Sequence, residues 1–191
     1  NGKMNFFEHF RELREIIGFE RTLHIQATAS DAAGILAEAE CIHKRIDPEV
    51  IIKVPVTVEG LKAIKILKKN GFSVTATVIY TKIQALTAME AGADYLAIYY
   101  NRMENMDIDP LNAISSVSKM IERYQYNTKI IGASFRNIRQ INDAFDAGAH
   151  MVTMTPEMLY DSFNMPVIQE AVDVFYADWK TMFGDRKITD L

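Results

Sequence analysis

A single lysine lies inside an apolar run near residue 50 and could act as a nucleophile. The apolar residues 50–52 and 54 surround Lys53, and a continuous run of this kind is typical of a strand covered on both faces in a parallel sheet. Burial removes hydration from an ammonium group and lowers its pKa. A lysine amine that is neutral near pH 7 can attack a carbonyl and form a Schiff base. A lysine at a strand end can instead extend to solvent, so this pattern alone leaves both interpretations open.

Polar side chains recur where the other predicted strands end, and together they could hold a sugar phosphate. In barrels of parallel strands, functional residues collect at the carboxyl ends of the strands. A sugar phosphate needs cations and hydroxyls for its phosphate, an amine for its carbonyl and a group that moves protons. The candidates at these ends are Gln26, Lys53, Thr77, Tyr99, Arg102, Ser134, Arg136 and Thr155. Each also has a purely structural interpretation, as a strand-end amide, a strand former, a core aromatic or a solvated loop charge.

The elements that must position these residues alternate between strand and helix, which is typical of parallel βαβ units. Strands are predicted at 23–27, 50–54, 73–79, 95–99, 129–133 and 150–154. Helices are predicted at 5–17, 31–42, 57–70, 81–91, 109–124, 138–147 and 166–183, with a short one opening at 155. The segment after Tyr99 is predicted as a polar loop.

Six parallel strands suit two architectures. One is an open doubly wound sheet, and the other is a (β/α)8 TIM barrel that lacks its first two strands. The chain contains no Gly-rich phosphate loop of the dinucleotide or P-loop type, which favours the barrel. A short internal similarity between residues 91–95 (Ala-Gly-Ala-Asp-Tyr) and 147–151 (Ala-Gly-Ala-His-Met) is of the kind that repeated half-barrels show.

Composition excludes several other classes of protein. The 191 residues suit one domain, and a net charge of −4 without a basic run argues against a nucleic-acid partner. No stretch approaches the roughly 20 apolar residues that span a bilayer, so no membrane partner is expected. The single cysteine forbids an internal disulfide and fits a reducing, cytoplasmic location. The histidines have no metal-ligand spacing, so no metal site is expected; they are His9, His24, His43 and His150.

Four segments match, in order and spacing, the motifs of one known family. The first is 51–64, Ile-Ile-Lys-Val-Pro-Val-Thr-Val-Glu-Gly-Leu-Lys-Ala-Ile, and the second is 91–97, Ala-Gly-Ala-Asp-Tyr-Leu-Ala, followed by Tyr99 and Asn101-Arg102. The third is 132–136, Gly-Ala-Ser-Phe-Arg, and the fourth is 175–184 with Trp179 and Phe183. From about Leu23 onward, the chain resembles the small transaldolase and fructose-6-phosphate aldolase family.

The resemblance implies a (β/α)8 barrel and a class I mechanism without cofactor or metal. Lys53 would condense with the C2 carbonyl of a ketose phosphate, and the iminium would accept electrons as the C3–C4 bond breaks. Tyr99 would relay protons together with a water held by Gln26 and Thr77. Arg102, Ser134 and Arg136 would hold the phosphate of the substrate, a small sugar phosphate.

Two positions bear on which reaction is catalysed. The transaldolase branch resembles a pattern with Glu at the position of Gln26 and Phe at that of Tyr99. The present residues resemble the fructose-6-phosphate aldolase branch, which implies reversible cleavage of fructose 6-phosphate to dihydroxyacetone and glyceraldehyde 3-phosphate. Three alternatives stay open: a transaldolase that transfers dihydroxyacetone between sugar phosphates, a lysine aldolase of the deoxyribose-phosphate type, and a non-catalytic phosphate-binding barrel.

The family begins with features that the sequence does not contain. These are a strand bearing a catalytic Asp and a strand ending in a Thr-Asn-Pro-Ser type of motif. We therefore expect residues 1–191 to be a single barrel domain lacking its N-terminal β-α-β unit, from a longer protein. Residues 166–191 form an apolar terminal helix and tail, which we expect to pack on a neighbouring subunit of a homo-oligomer, a pentamer or decamer.

Overall fold

The computed structural model describes residues 5–191 in two compact units, one ending at Thr153 and one running from Met154 to Leu191. In the first unit, helices and strands alternate as predicted. Its helices are α1 (Phe6–Ile17), α2 (Ala32–Arg45), α3 (Val58–Lys69), α4 (Lys82–Glu90), α5 (Tyr100–Glu104), α6 (Pro110–Tyr124) and α7 (Ile138–Asp146). Its strands are β1 (His24–Gln26), β2 (Ile51–Pro55), β3 (Val74–Ile79), β4 (Tyr95–Tyr99), β5 (Lys129–Ala133) and β6 (Met151–Val152).

The six strands form one parallel sheet in the order β1-β2-β3-β4-β5-β6. Every strand therefore pairs with its neighbour in sequence, and the sheet curls into a half-barrel. A doubly wound sheet would reverse its strand order at a switch point. The absence of any reversal within the described chain makes the doubly wound alternative wrong and agrees with a partial barrel.

Side-chain caps fix where the helices of the first unit begin. Asp31, Thr57, Thr81 and Asn137 each accept a hydrogen bond from the backbone N–H three residues later, which satisfies a donor that the helix leaves without a partner. These four caps follow β1, β2, β3 and β5. The turns that leave the carboxyl ends of those strands are therefore short and defined.

The core lies between the sheet and the helices that cover its outer face. Alternate strand residues are fully buried there, such as Ile52, Val54, Val74, Leu96 and Ile98. The other strand residues point to the concave face, since side chains alternate along a strand. Polar candidates that share this second parity are thereby brought to one surface.

One ion pair is buried where α1 meets the segment after α2. Arg14 and Asp47 are 5% and 4% exposed, and Arg14 Nε lies 2.7 Å from Asp47 Oδ2, a charge contact without the angle of a hydrogen bond. Arg14 Nη1 also donates to the carbonyl oxygens of Gly18 and Arg21. The guanidinium thus closes the turn that leads from α1 into β1.

The second unit consists of α8 (Pro156–Phe163), α9 (Pro166–Phe183) and a short 3-10 turn (Ile188–Asp190). The predicted bounds 166–183 of the last helix are confirmed. Within this unit the Trp179 and Phe183 rings stack at 4.4 Å. Among the described helices of the whole chain, none has the length and apolar character to cross a membrane.

Predicted elements differ from the structure in three places, and the first is α2, which runs to Arg45 and does not end at residue 42. The segment after Tyr99 is the helix α5 and not a polar loop, because Tyr100 and Met103 lie on one helical face and are both buried. The last strand covers only Met151–Val152 and not 150–154.

Candidate active site

Lys53 lies on β2 and contributes to a cavity on the concave face. The cavity has a volume of about 290 Å³. Its lining comes from all six strands and from residues beside them: Thr22, His24, Lys53, Thr75, Ala97, Ile131, Ala133, Met151, Val152 and Thr153. Lys53 is half-buried, and it is the one lysine among these lining residues. An amine in a partly apolar cavity of this size is placed to meet a small carbonyl compound.

His24 lies beside Lys53 on the same cavity and was not predicted as a site residue. Its Nδ1 is 2.8 Å from Thr75 Oγ1 and its Nε2 is 3.1 Å from Thr22 Oγ1. Burial, with a further contribution from the positive charge of Lys53, lowers the pKa of His24 to about 4. Near pH 7 the imidazole is therefore neutral, and it adds no positive charge beside the amine.

Tyr99 stands at the end of β4 in a cluster of polar and aromatic groups. Thr77 Oγ1 donates a hydrogen bond of 3.1 Å to the Tyr99 hydroxyl, and the Tyr80 ring meets the Tyr99 ring edge-on at 5.8 Å. The Arg102 guanidinium lies 4.8 Å from the centre of the Tyr99 ring. Hydrogen-bonding contact with the Tyr80 side chain raises the pKa of Arg102. Thr77, Tyr99 and Arg102, all predicted site residues, are therefore brought together.

A bulge in β3 brings Tyr80 into this cluster. The register between β3 and β4 shifts between Ala76 and Ile79, and Val78 adopts a left-handed backbone with φ of 63°. An extra residue in one strand re-aims the side chains that follow. Tyr80, which regular alternation would point to the other face, thereby reaches Tyr99. A β-branched residue is strained in this conformation, so the surrounding structure holds it in place.

Gln26 lies at the end of β1, paired in register with Lys53. Its side-chain amide donates to the backbone oxygens of Ala27 and Lys53, at 2.9 and 3.0 Å. It is therefore adjacent to the lysine, and it satisfies backbone groups at the strand ends. No direct hydrogen bond joins it to Thr77 or Tyr99 within the described residues. Thr155 caps α8 in the second unit, accepting from Met158 N.

Ser134 and Arg136 occupy the loop after β5. Ser134 has a left-handed backbone with φ of 64°, and Arg136 is exposed. The Arg136 backbone N–H donates to Gln140 Oε1 at 2.7 Å. Gln140 Nε2 donates in turn to Asn101 Oδ1 at 3.0 Å and to Glu104 Oε2. This loop is thus linked to α5, the helix that carries Arg102.

The loops after β3 and β5 are built alike. In each, a left-handed residue is followed three positions later by the helix cap and six positions later by a glutamine, as in Val78, Thr81 and Gln84. Gln84 Oε1 accepts from the Tyr80 and Thr81 backbone N–H groups. The same number of residues, 56, separates Gln84 from Gln140 and Gly92 from Gly148. The short repeat seen in the sequence therefore extends through whole loop-helix units.

Sequence reasoning missed three contributors to this region. His24 precedes Gln26 by two positions on a strand, so the alternation of side chains could have placed both on one face. Gln140 follows Asn137 at the spacing of a capping box, which signals the cap but not its bonds to α5. Tyr80 carried no local signal, because its position depends on the bulge.

Comparison with known proteins decides which family this arrangement represents. The profile of the family described as "Transaldolase/Fructose-6-phosphate aldolase" matches residues 5–188. The chain belongs to this family. It is also 48% identical over 187 residues to a "Probable fructose-6-phosphate aldolase" of Streptococcus pneumoniae (strain ATCC 700669 / Spain 23F-1), and the match covers 98% of this chain and 84% of that relative. The predicted family, and with it the predicted class of enzyme, are confirmed.

Proposed function

We propose that this member of the transaldolase and fructose-6-phosphate aldolase family cleaves fructose 6-phosphate reversibly to dihydroxyacetone and glyceraldehyde 3-phosphate. The observation that carries the proposal is the position of Lys53, the one lysine among the lining residues of a cavity large enough for a small sugar. The name of the Streptococcus pneumoniae relative supports the choice of substrate. The sequential parallel sheet supports the finer prediction that the six strands belong to a (β/α)8 barrel.

The chemistry begins at the Lys53 amine. The amine adds to the C2 carbonyl of the ketose and water leaves, which gives an iminium. The C4 hydroxyl then loses its proton, the C3–C4 bond breaks, and its electron pair moves into the iminium. C4 leaves as the aldehyde of glyceraldehyde 3-phosphate. Protonation of the remaining enamine at C3 and hydrolysis release dihydroxyacetone and restore the amine.

Tyr99 is the proposed proton carrier. Because Thr77 donates to the phenol oxygen at 3.1 Å, the phenol proton stays available for a substrate atom or a water. Gln26, next to Lys53 in register, would help to hold that water. A positioned acid or base of this kind contributes roughly 10²–10⁴-fold to rate.

Arg102, Ser134 and Arg136 are the proposed phosphate-binding residues. Both arginines are exposed and stand beside the carboxyl ends of neighbouring strands, β4 and β5. A guanidinium binds phosphate oxygens through two parallel hydrogen bonds. The left-handed backbone at Ser134 belongs to the kind of turn in which successive N–H groups form anion-binding concavities.

Borohydride trapping tests the nucleophile and the mechanism together. Incubation with fructose 6-phosphate and borohydride should leave a reduced dihydroxyacetone adduct on the peptide that carries Lys53, detected by mass spectrometry. Lys53→Met should abolish the adduct. A wild-type protein that cleaves the sugar but gives no adduct on Lys53 would exclude this mechanism. A folded protein with neither cleavage nor adduct would favour a phosphate-binding barrel.

Transaldolase activity is the second candidate, and Gln26 and Tyr99 distinguish it. A phenol at position 99 can protonate the enamine and release dihydroxyacetone, whereas transfer requires the enamine to survive until a second aldose arrives. Supplying erythrose 4-phosphate and measuring sedoheptulose 7-phosphate separates the two reactions. We expect cleavage to dominate in the wild type, and Gln26→Glu with Tyr99→Phe to shift the ratio toward transfer.

We also propose that α9 packs on a neighbouring subunit of a pentamer or decamer. Its apolar side chains are exposed in the single chain, and they include Val167, Val172, Val174 and Phe175. Large exposed apolar patches mark interaction sites. Light scattering at micromolar concentration should give the mass of an oligomer, and a monomer would contradict the proposal.

A further inference from the structure

We propose that Gln140 is a positioning residue that sets the spacing between the two phosphate-binding arginines. The inference rests on the proposed function, because it takes Arg102 and Arg136 as the groups that hold the substrate phosphate. Gln140 lies on α7, is 7% exposed and is not one of the residues that line the cavity. Its effect on the reaction would therefore pass through the segments that it holds.

Both ends of the Gln140 amide are used, and each end holds a different segment. The oxygen accepts from Arg136 N at 2.7 Å, and the nitrogen donates to Asn101 Oδ1 at 3.0 Å and to Glu104 Oε2. A backbone N–H requires an acceptor and a carboxylate requires a donor, so these neighbours fix the orientation of the amide. One buried side chain thus joins the Ser134–Arg136 loop to the helix that bears Arg102.

Gln84, the counterpart of Gln140 in the repeat, shows which of these bonds is additional. Gln84 Oε1 caps its own loop by accepting from Tyr80 N and Thr81 N, at 2.9 and 3.0 Å. Within residues 5–191 its amide nitrogen makes no hydrogen bond to another helix. Both glutamines therefore accept from the backbone of their own loop. The two donor bonds are specific to Gln140, and they join the two segments that carry the arginines.

We call the two hydrogen bonds from Gln140 Nε2 to Asn101 and Glu104 the bridge. The bridge should affect phosphate binding more than the reactivity of the Lys53 amine. Two guanidiniums hold one phosphate only if their separation matches its oxygens, and a displacement of about 1 Å at a positioned group costs up to about 10²-fold in rate. Lys53 lies on β2, which neither segment of the bridge includes. Loss of the bridge should therefore weaken the use of phosphorylated substrates and leave imine formation with dihydroxyacetone unchanged.

Gln140→Glu separates the cap from the bridge. The carboxylate still accepts from Arg136 N, but it has no donor for Asn101 and repels Glu104. Asn101→Ala removes one acceptor of the bridge without adding charge and leaves the cap intact. Combining Gln140→Glu with Glu104→Gln restores a donor opposite an acceptor. Gln84→Glu is the matched control, because it makes the same change in the equivalent loop.

The measurement is aldol synthesis from dihydroxyacetone with two acceptors, glyceraldehyde 3-phosphate and unphosphorylated glyceraldehyde. The ratio of the two kcat/KM values isolates recognition of the phosphate. We expect this ratio to fall about tenfold in Gln140→Glu, through KM for the phosphorylated aldehyde, and less in Asn101→Ala. Gln84→Glu should keep the wild-type ratio, and the Gln140→Glu, Glu104→Gln pair should recover most of it.

Three results would overturn the inference. The first is an unchanged ratio of kcat/KM values in both Gln140→Glu and Asn101→Ala. The second is an equal loss of kcat/KM for both aldehydes. The third is a ratio that falls in Gln140→Glu alone, because that would reflect the added charge. If Gln140→Glu does not fold, Asn101→Ala decides alone, with an unchanged ratio counting against the bridge. Failure of the proposed function is recognised separately, because the wild-type protein would then form no borohydride-trapped adduct with dihydroxyacetone.

Discussion

Replacing His24 by Phe should reduce the amount by which the free energy of unfolding falls between pH 6.5 and pH 4.5. The half-buried imidazole has its pKa lowered from 6.5 to about 4, so between these values the unfolded chain binds a proton that the folded protein resists. Stability therefore rises with pH in this window. The contribution of His24 is fully present above pH 6.5 and is lost as the pH falls toward 4.

The size of the effect follows from the same difference. At about 1.36 kcal/mol per pH unit, the lowered pKa gives an upper limit of about 3 kcal/mol. Part of the ring is exposed to solvent, which screens the interaction with Lys53, so we expect about 2 kcal/mol. Urea unfolding at pH 7.5, 6.5, 5.5 and 4.5 measures the free energy of unfolding for each variant.

The comparison uses differences between variants, because carboxylates also titrate in this range. His24→Phe keeps an aromatic ring and should lose about 2 kcal/mol less than the wild type between pH 6.5 and 4.5. Lys53→Met removes the smaller of the two causes of the lowered pKa. Its loss of stability between pH 6.5 and 4.5 should therefore lie between those of the wild type and His24→Phe. Equal losses in the wild type and His24→Phe would refute the reasoning, since burial of the imidazole would then have no consequence for folding.

Three further substitutions test other parts of the structure. Tyr99→Phe should lower kcat for cleavage by roughly 10²-fold or more while leaving the trapped adduct, and steady-state kinetics would contradict the proton role if kcat is unchanged. Asp47→Ala should destabilise the protein by about 3–5 kcal/mol, because it leaves the Arg14 charge buried alone; replacing both by Met and Leu should recover most of that loss in urea unfolding. Gly60→Ala should cost about 1–3 kcal/mol or more, because a Cβ there would lie 1.9 Å from the Pro55 carbonyl oxygen, and an unchanged thermal midpoint would argue against that close contact.

Local rules were sufficient to predict most of the fold. Helix caps such as Asp31 and Thr57, and apolar runs such as 50–54, specify where elements begin, and the alternation of elements specifies a parallel sheet. The helix 166–183 was predicted with its observed bounds. The α5 helix is not predictable from the sequence because it is only five residues long. It is stabilised by burial of its apolar face, which depends on tertiary packing rather than on local propensity.

The candidate site was predictable only where strand parity decides it. Thr77 lies near the end of β3 and Tyr99 at the end of β4, and the structure joins them by a hydrogen bond. The bulge at Val78 could not be anticipated, because valine favours regular strands. The bonds of Gln140 to α5 connect residues 36 and 39 positions apart, and no local pattern encodes such a contact.

The loops after β3 and β5 have a consequence for redesign. In each loop, the glutamine oxygen accepts from the residue two positions after the left-handed one, Tyr80 or Arg136, through the backbone N–H of that residue and not through its side chain. The hydrogen bond to the glutamine therefore does not depend on the side chain at that position. The same loop geometry presents an aromatic ring after β3 and a cation after β5. The side chains at positions 80 and 136 can therefore be exchanged, which changes the chemistry offered to a ligand without changing the backbone of the loop.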